Sequence, residues 1–65
     1  MRIDRYKLLV EMAKKDLTTF NLAELAGVSR GTVSSIRSGK TCSIQTAGKI
    51  SRALGVDVTE ILKED

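Results

Sequence analysis

The feature that most constrains the fold is a helical pattern that stops at one glycine and begins again two residues later. Small and apolar residues recur at helical spacing before the break, at Leu22, Ala23 and Ala26. Gly27 follows them, and glycine adopts the left-handed backbone that ends many helices at little steric cost. Ser29 is then a preferred N-cap for a new helix. The pattern therefore predicts two short helices joined by a tight turn.

This spacing is typical of a helix-turn-helix unit, predicted here at about residues 18–38 with Thr18 as the first N-cap. Three more helices are predicted around it. One covers about residues 4–15, one follows the N-cap Ser43 as far as residue 54, and a short one starts at the capping pair Asp57 and Glu60. The predicted inward-facing side chains are Leu8, Leu9, Met12, Ala13, Leu22, Val33, Ile36, Ile44, Ala47, Ile50 and Leu54. We expect an all-α fold, a compact five-helix bundle in one domain over residues 1–65.

The composition excludes several classes of function. The 65 residues contain one cysteine and no histidine, so neither an internal disulfide nor a zinc site is expected. No nucleophile–base pair, phosphate-binding glycine loop or metal cluster is present, so we expect no enzymatic activity and no cofactor. Tyr6 and Phe20 are the only aromatic residues, too few for a platform that stacks single-stranded bases. With no membrane span or signal peptide in the pattern, we expect a cytoplasmic, nucleoid-associated protein.

The charges are unevenly distributed. The chain has no acidic residue between positions 25 and 56, where five cations occur: Arg30, Arg37, Lys40, Lys49 and Arg52. Residues 57–65 are acidic by contrast. A basic centre indicates a face for a polyanion such as DNA, although an ordinary solvated surface is the alternative.

The motifs "LAELAGVSRGTVSSIRSGK", "SIQTAGKISRALGV" and "DVTEIL", in this order, resemble the Cro and phage-repressor type of helix-turn-helix regulators. The resemblance covers about residues 5–62. It implies a lambda-repressor-like DNA-binding domain, in which the third helix enters the major groove and helix N-termini receive phosphates. The sequence departs from the family pattern in three ways. Thr19 replaces a glutamine that contacts phosphate, Met12 and Arg37 replace a helix-one to helix-three ion pair, and Cys42 replaces a common proline. Arg37 is left able to reach Glu11.

The third helix carries the predicted base contacts. With Val33 and Ile36 facing inward, the outward and flanking positions are Arg30, Gly31, Thr32, Ser34 and Ser35. Arg30 is the candidate for direct readout, since arginine pairs bidentately with guanine. Gly31 costs the helix ~1 kcal/mol relative to alanine, which close approach to the bases would explain. The alternative is a tolerated glycine on a solvated face.

Backbone phosphate contacts are predicted at the helix starts and the turns beside them. These residues are Thr18, Thr19, Asn21, Ser29, Ser38, Lys40, Thr41, Ser43 and Thr46. Such contacts position a domain without reading sequence. Phe20 either covers the edge of the core or makes an exposed contact.

The predicted function is a sequence-specific regulator that binds double-stranded DNA, expected to be a repressor. The resemblance implies a homodimer on a pseudo-palindromic operator, for which Gly48, Val58, Ile61 and Leu62 are candidate contacts, although core packing explains the last three equally well. The alternative is the antitoxin half of a toxin–antitoxin pair, with a small protein partner.

Overall fold

A computed structural model describes residues 1–64 of the chain. Within them it contains four α-helices, α1 (Arg5–Lys14), α2 (Thr19–Ala26), α3 (Arg30–Arg37) and α4 (Ile44–Leu54), followed by a three-residue 3₁₀ turn at Val58–Glu60. The all-α class is as expected, but the count of five helices is wrong. The last element ends after one turn because the next residues leave the helical path: Ile61 enters the core and Leu62 pairs with Ile3.

The helix ends form where the capping residues predict them. Asp4, Thr18, Ser29 and Ser43 are the N-caps of the four helices, each accepting a backbone N–H of the first turn. Gly27 and Gly55 end α2 and α4 with φ of 71° and 70°, the left-handed conformation. Capping therefore fixes the turn between α2 and α3 locally.

The core lies where the helices meet, with α2 packed against both α3 and α4. Its largest fully buried side chains are Ile3, Leu8, Leu22, Val33, Ile36, Ile50, Leu54 and Ile61. Three positions predicted to face inward do not. Leu9 and Ala13 lie on the exposed side of α1, with Leu9 39% exposed, and Ile44 is 65% exposed in the first turn of α4. The apolar face of α1 is narrower than the pattern suggests, since only Leu8 and Met12 are buried on it.

The two ends of the chain meet in an isolated antiparallel bridge between Ile3 and Leu62. The Asp4 amide donates to the Ile61 carbonyl at 2.8 Å, and the Lys63 amide donates to the Arg2 carbonyl at 3.0 Å. The sequence pattern did not predict a role for Ile3, yet its side chain is buried in the core.

A glycine inside a helix can permit a close helix crossing, and Gly48 lies inside α4. A Cβ at this position would meet only the Arg52 side chain of the same helix, at 3.4 Å, so the structure gives no close crossing there. Among residues 1–64, no helix has the length and apolar character needed to cross a membrane.

Candidate nucleic-acid interface

Helix α3 presents a thin polar face outward. Val33 and Ile36 anchor its inner side in the core, while Arg30, Gly31 and Ser34 are exposed. The two remaining predicted base contacts, Thr32 and Ser35, are half-buried. At Gly31 a Cβ would have only the Ser29 hydroxyl within 4 Å, at 3.8 Å. Packing within the domain therefore does not require a glycine at this position.

Arg30 does not extend freely from this face. Its Cζ lies 5.3 Å from the centroid of the Phe20 ring, a cation–π distance that joins α3 to α2. Within the described residues, its guanidinium has no hydrogen-bond or ion-pair partner in the protein, so its N–H groups remain available to an external acceptor. Sequence reasoning left Phe20 open between two roles and missed this contact. The exposed aromatic residue in the first turn of α2 was the feature of the sequence that could have indicated a partner for Arg30.

The hydroxyls predicted to touch phosphates are mostly engaged in capping. Thr18 Oγ1 accepts the Asn21 amide at 3.0 Å and donates to Asn21 Oδ1 at 2.9 Å. The Ser29 and Ser43 hydroxyls accept the amides of Thr32 and Thr46, each at 3.1 Å. The Ser43 hydroxyl also donates to Thr46 Oγ1 at 3.0 Å, and the Ser29 and Thr32 hydroxyls share a hydrogen bond at 2.9 Å, so these hydroxyls are already engaged at the helix starts.

Ser38, also a predicted phosphate contact, has its hydroxyl 3.0 Å from the carbonyls of Ser34 and Ser35, to which it donates. Its proton is therefore committed to the end of α3.

The backbone amides at these helix starts supply the donors instead. In the described residues the first two amides of α2, α3 and α4 have no acceptor; they belong to Thr19, Phe20, Arg30, Gly31, Ile44 and Gln45. Unpaired amides at a helix N-terminus favour an anion both by hydrogen bonding and by the helix dipole. Of the predicted phosphate contacts, only Thr19 supplies one of these amides, while Thr18, Ser29 and Ser43 are the N-caps that precede them.

Arg37 reaches the start of α2. Its Nη1 donates to Thr19 Oγ1, and Glu11 is instead paired with Lys14 at 3.3 Å and Lys15 at 3.2 Å. Arg37 therefore does not contact Glu11. Its guanidinium adds a cation beside Thr19, the position where the family carries a longer polar side chain.

Lys40 and Thr41 follow the turn at Gly39, whose φ is 93°. Both side chains are exposed, and in the described part of the chain neither forms a side-chain hydrogen bond. The Lys40 amide donates to the Ser35 carbonyl at 3.1 Å, which fixes the turn just beyond α3. Lys40 thus holds a positive charge next to the outward helix.

The described residues contain no candidate metal site, and their one cysteine is not activated as a nucleophile. No group of three His, Cys, Asp or Glu side chains in residues 1–64 is arranged to hold a metal ion. Partial burial raises the pKa of the Cys42 thiol, which disfavours the nucleophilic thiolate at neutral pH.

The capped pair α2 and α3, with an outward α3, is the arrangement of a helix-turn-helix DNA-binding protein. Comparison with protein families agrees, because the family of Cro/C1-type helix-turn-helix DNA-binding domains matches residues 7–64. The chain belongs to this family. No curated protein sequence matches it.

Solved structures contain the same fold. The chain is 25% identical to native PhpD with cadmium atoms (TM-score 0.85) and to PhpD with cadmium complexed with hydroxyethylphosphonate (TM-score 0.84). It is also 25% identical to a mutant of hydroxyethylphosphonate dioxygenase, with a TM-score of 0.87. Each comparison covers 98% of this chain but only 14% of the other. The likeness therefore concerns one small domain of much longer chains.

Proposed function

We propose that this domain is a sequence-specific, double-stranded DNA-binding transcriptional regulator that inserts α3 into the major groove. The observation that carries the proposal is the outward face of α3, where an available guanidinium stands beside a glycine and two serines. Short side chains allow the helix backbone to approach the base edges, and a single long side chain supplies the readout. Occupying an operator blocks transcription there, so the proposed outcome is repression.

Each group has a role in this proposal. Arg30 pairs with a guanine, a contact worth ~1–3 kcal/mol of discrimination, while Thr32, Ser34 and Ser35 make weaker contacts with base edges. Gly31 marks the closest approach. The unpaired amides of α2, α3 and α4, with Lys40 and Arg37, hold the phosphates on both sides of the groove.

A homodimer on a pseudo-palindromic operator is the proposed assembly, because one such domain reads only about half of a typical site. Ile61 is fully buried in the core, which removes it from the candidate dimer contacts. Gly48, Val58 and Leu62 are half-buried and keep part of their surface available.

Selection of bound sequences from a random double-stranded DNA library tests this proposal. We expect enrichment of a motif that repeats after about one helical turn and contains a guanine in each half. Arg30→Ala should remove the preference at that guanine, whereas Lys40→Ala should weaken all sequences alike and flatten the dependence on salt. No enrichment at low salt would refute DNA binding, and a uniform loss in both variants would refute the role of Arg30. Repression is tested separately with a reporter gene behind the selected operator.

A further inference from the structure

A cavity of about 330 Å³ lies between the start of α1 and the end of α3, where the helix-turn-helix unit ends at Ser38. Its charged lining consists of Arg2, Asp4, Arg5 and Lys63, and the Ser38–Gly39 turn forms one wall. None of the predicted base contacts lines it. The volume is at the lower end of ~300–1,000 Å³, the range of small-ligand sites.

The fold itself brings the three cations together. The bridge between Ile3 and Leu62 places their neighbours Arg2 and Lys63 side by side, with the Lys63 amide 3.0 Å from the Arg2 carbonyl. Arg5 approaches from α1, and its Cδ lies 3.8 Å from the position of a Cβ on Gly39. All three cationic side chains therefore line the same cavity.

The three cations outnumber the one carboxylate in the lining, Asp4, whose pKa is lowered first by the hydrogen bond from the Lys7 amide and in part by the charge of Lys63. Asp4 Oδ1 accepts the amides of Tyr6 and Lys7, at 2.9 and 3.0 Å, as the N-cap of α1. Glu64 pairs with Lys7 at 3.4 Å. Among the described residues, the side chains of Arg2, Arg5 and Lys63 take part in no ion pair, although the Arg5 guanidinium lies over the Tyr6 ring at 5.9 Å.

We infer that this cavity binds a phosphate group. Two guanidinium groups and one ammonium in its lining supply charge-assisted donors, and a tetrahedral dianion is small enough for its volume. The phosphate comes from one of two sources. It is either a backbone phosphate of the DNA that α3 reads, reached past Gly39 and Lys40, or a free phosphate monoester. Binding of a DNA phosphate rests on the proposed function, whereas the cavity and its positive charge are independent of it.

Two measurements on the whole chain separate these sources. The first is an NMR titration with inorganic phosphate, against chloride at equal ionic strength, that follows the backbone amides of Arg5, Ser38 and Gly39. The second is DNA affinity as a function of salt. Both compare the wild type with the triple variant Arg2→Gln, Arg5→Gln, Lys63→Gln. The control is Lys49→Gln, at an exposed lysine of α4 outside the cavity.

A DNA source predicts that the triple variant lowers the slope of log affinity against log salt by about 0.9 for the lost phosphate. A free-phosphate source predicts saturable shifts in the wild type that the triple variant abolishes, with an unchanged slope. Thermal unfolding of the variants verifies that they are folded.

An unchanged slope together with phosphate shifts no larger than those in chloride would overturn the inference. If the protein bound phosphate saturably but bound no DNA, the proposed function would be refuted. The inference that the cavity binds a phosphate group would still stand.

Discussion

Arg30 and Phe20 form a contact between two exposed side chains on different helices. An isolated arginine on a helix surface samples many rotamers, and binding DNA then costs the entropy of fixing it. The ring of Phe20, 5.3 Å from the guanidinium carbon, restricts Arg30 before any DNA is present. Phe20 is thus a positioning residue in the proposed reading of guanine.

Phe20→Ala should reduce discrimination at that guanine about two- to fivefold, because an exposed cation–π contact is worth ~0.5–1 kcal/mol. The measurement is the ratio of affinities for operators with and without the guanine. Leu25→Ala is the matched control, since Leu25 is also apolar, is 62% exposed and lies on the same helix. Equal ratios in the two variants would contradict the role of Phe20.

At Gly31, folding and the proposed DNA binding favour different residues. Gly31→Ala should stabilise the free domain by ~0.5–1 kcal/mol, because α3 leaves room for a methyl group and alanine favours helix. The same change should weaken DNA binding by holding the helix away from the bases. Urea unfolding and DNA titration measure the two effects.

Val10→Ala is the control for this experiment, since Val10 is 51% exposed on α1 and alanine favours helix more than valine does. It should add some stability without loss of DNA affinity. A Gly31→Ala variant that binds DNA as well as the wild type would show that close approach is not needed.

At the residue scale, the sequence predicted which side of α3 points outward but not the partners of its long side chains. The inward positions followed from periodicity, as Val33 and Ile36 illustrate. The contact of Arg37 with Thr19 depends on how α2 and α3 pack, which no local pattern encodes. The predicted inward orientation of Leu9 and Ile44 was wrong, because periodicity does not define where an apolar stripe ends.

The helices themselves are specified by contacts within four residues, which is why their ends were predictable. Each N-cap side chain and the amide it accepts lie within the same short segment, as in Ser29 and Thr32. The short final element has the predicted capping box, in which Glu60 accepts the Asp57 amide at 3.0 Å. Its capping is local, but its length is limited by burial of Ile61 in the core and by the bridge between Leu62 and Ile3.

We expect the acidic caps Asp4 and Asp57 to make the stability of the domain sensitive to acid. Hydrogen bonds from the Lys7 and then the Tyr6 amide lower the pKa of Asp4, and those from Thr59 lower the pKa of Asp57. A lowered pKa in the folded state means that the caps stabilise fully above the unfolded pKa of about 4. This contribution is lost as the pH falls through the folded pKa.

Thermal unfolding between pH 7 and pH 2 tests this with Asp4→Asn, which still caps but does not titrate. Below about pH 4, the Tm of this variant should fall less than the Tm of the wild type. Asp4→Ala, which removes the cap, should have a lower Tm already at pH 7. An acid profile of Asp4→Asn as steep as that of the wild type would contradict the role of Asp4.

For the whole molecule, the segments before α1 and after α4 contribute buried side chains to a small core. Ile3 and Ile61 are among its fully buried side chains, yet neither lies in an α-helix. The sequence could not predict the contribution of Ile3, because it depends on pairing with a residue near the other end of the chain. The core of the four helices, by contrast, followed largely from their patterns.

Ile61→Ala should destabilise the domain by ~2–5 kcal/mol, the usual cost of emptying a fully buried isoleucine site. A domain of this size has little stability in reserve, so the variant should unfold at a much lower urea concentration. Ile44→Ala, at a 65% exposed site, is the control and should change the midpoint little. Similar midpoints for the two variants would contradict the anchoring role of Ile61.

The bridge between Ile3 and Leu62 also has a consequence for protein architecture. A domain whose chain enters and leaves at adjacent backbone positions can be inserted into a loop of another protein without stretching its host. The same fold occupies 14% of the far longer dioxygenase chain. We therefore expect this domain to fold on its own when it is inserted into a loop of an unrelated protein, with α3 still facing outward.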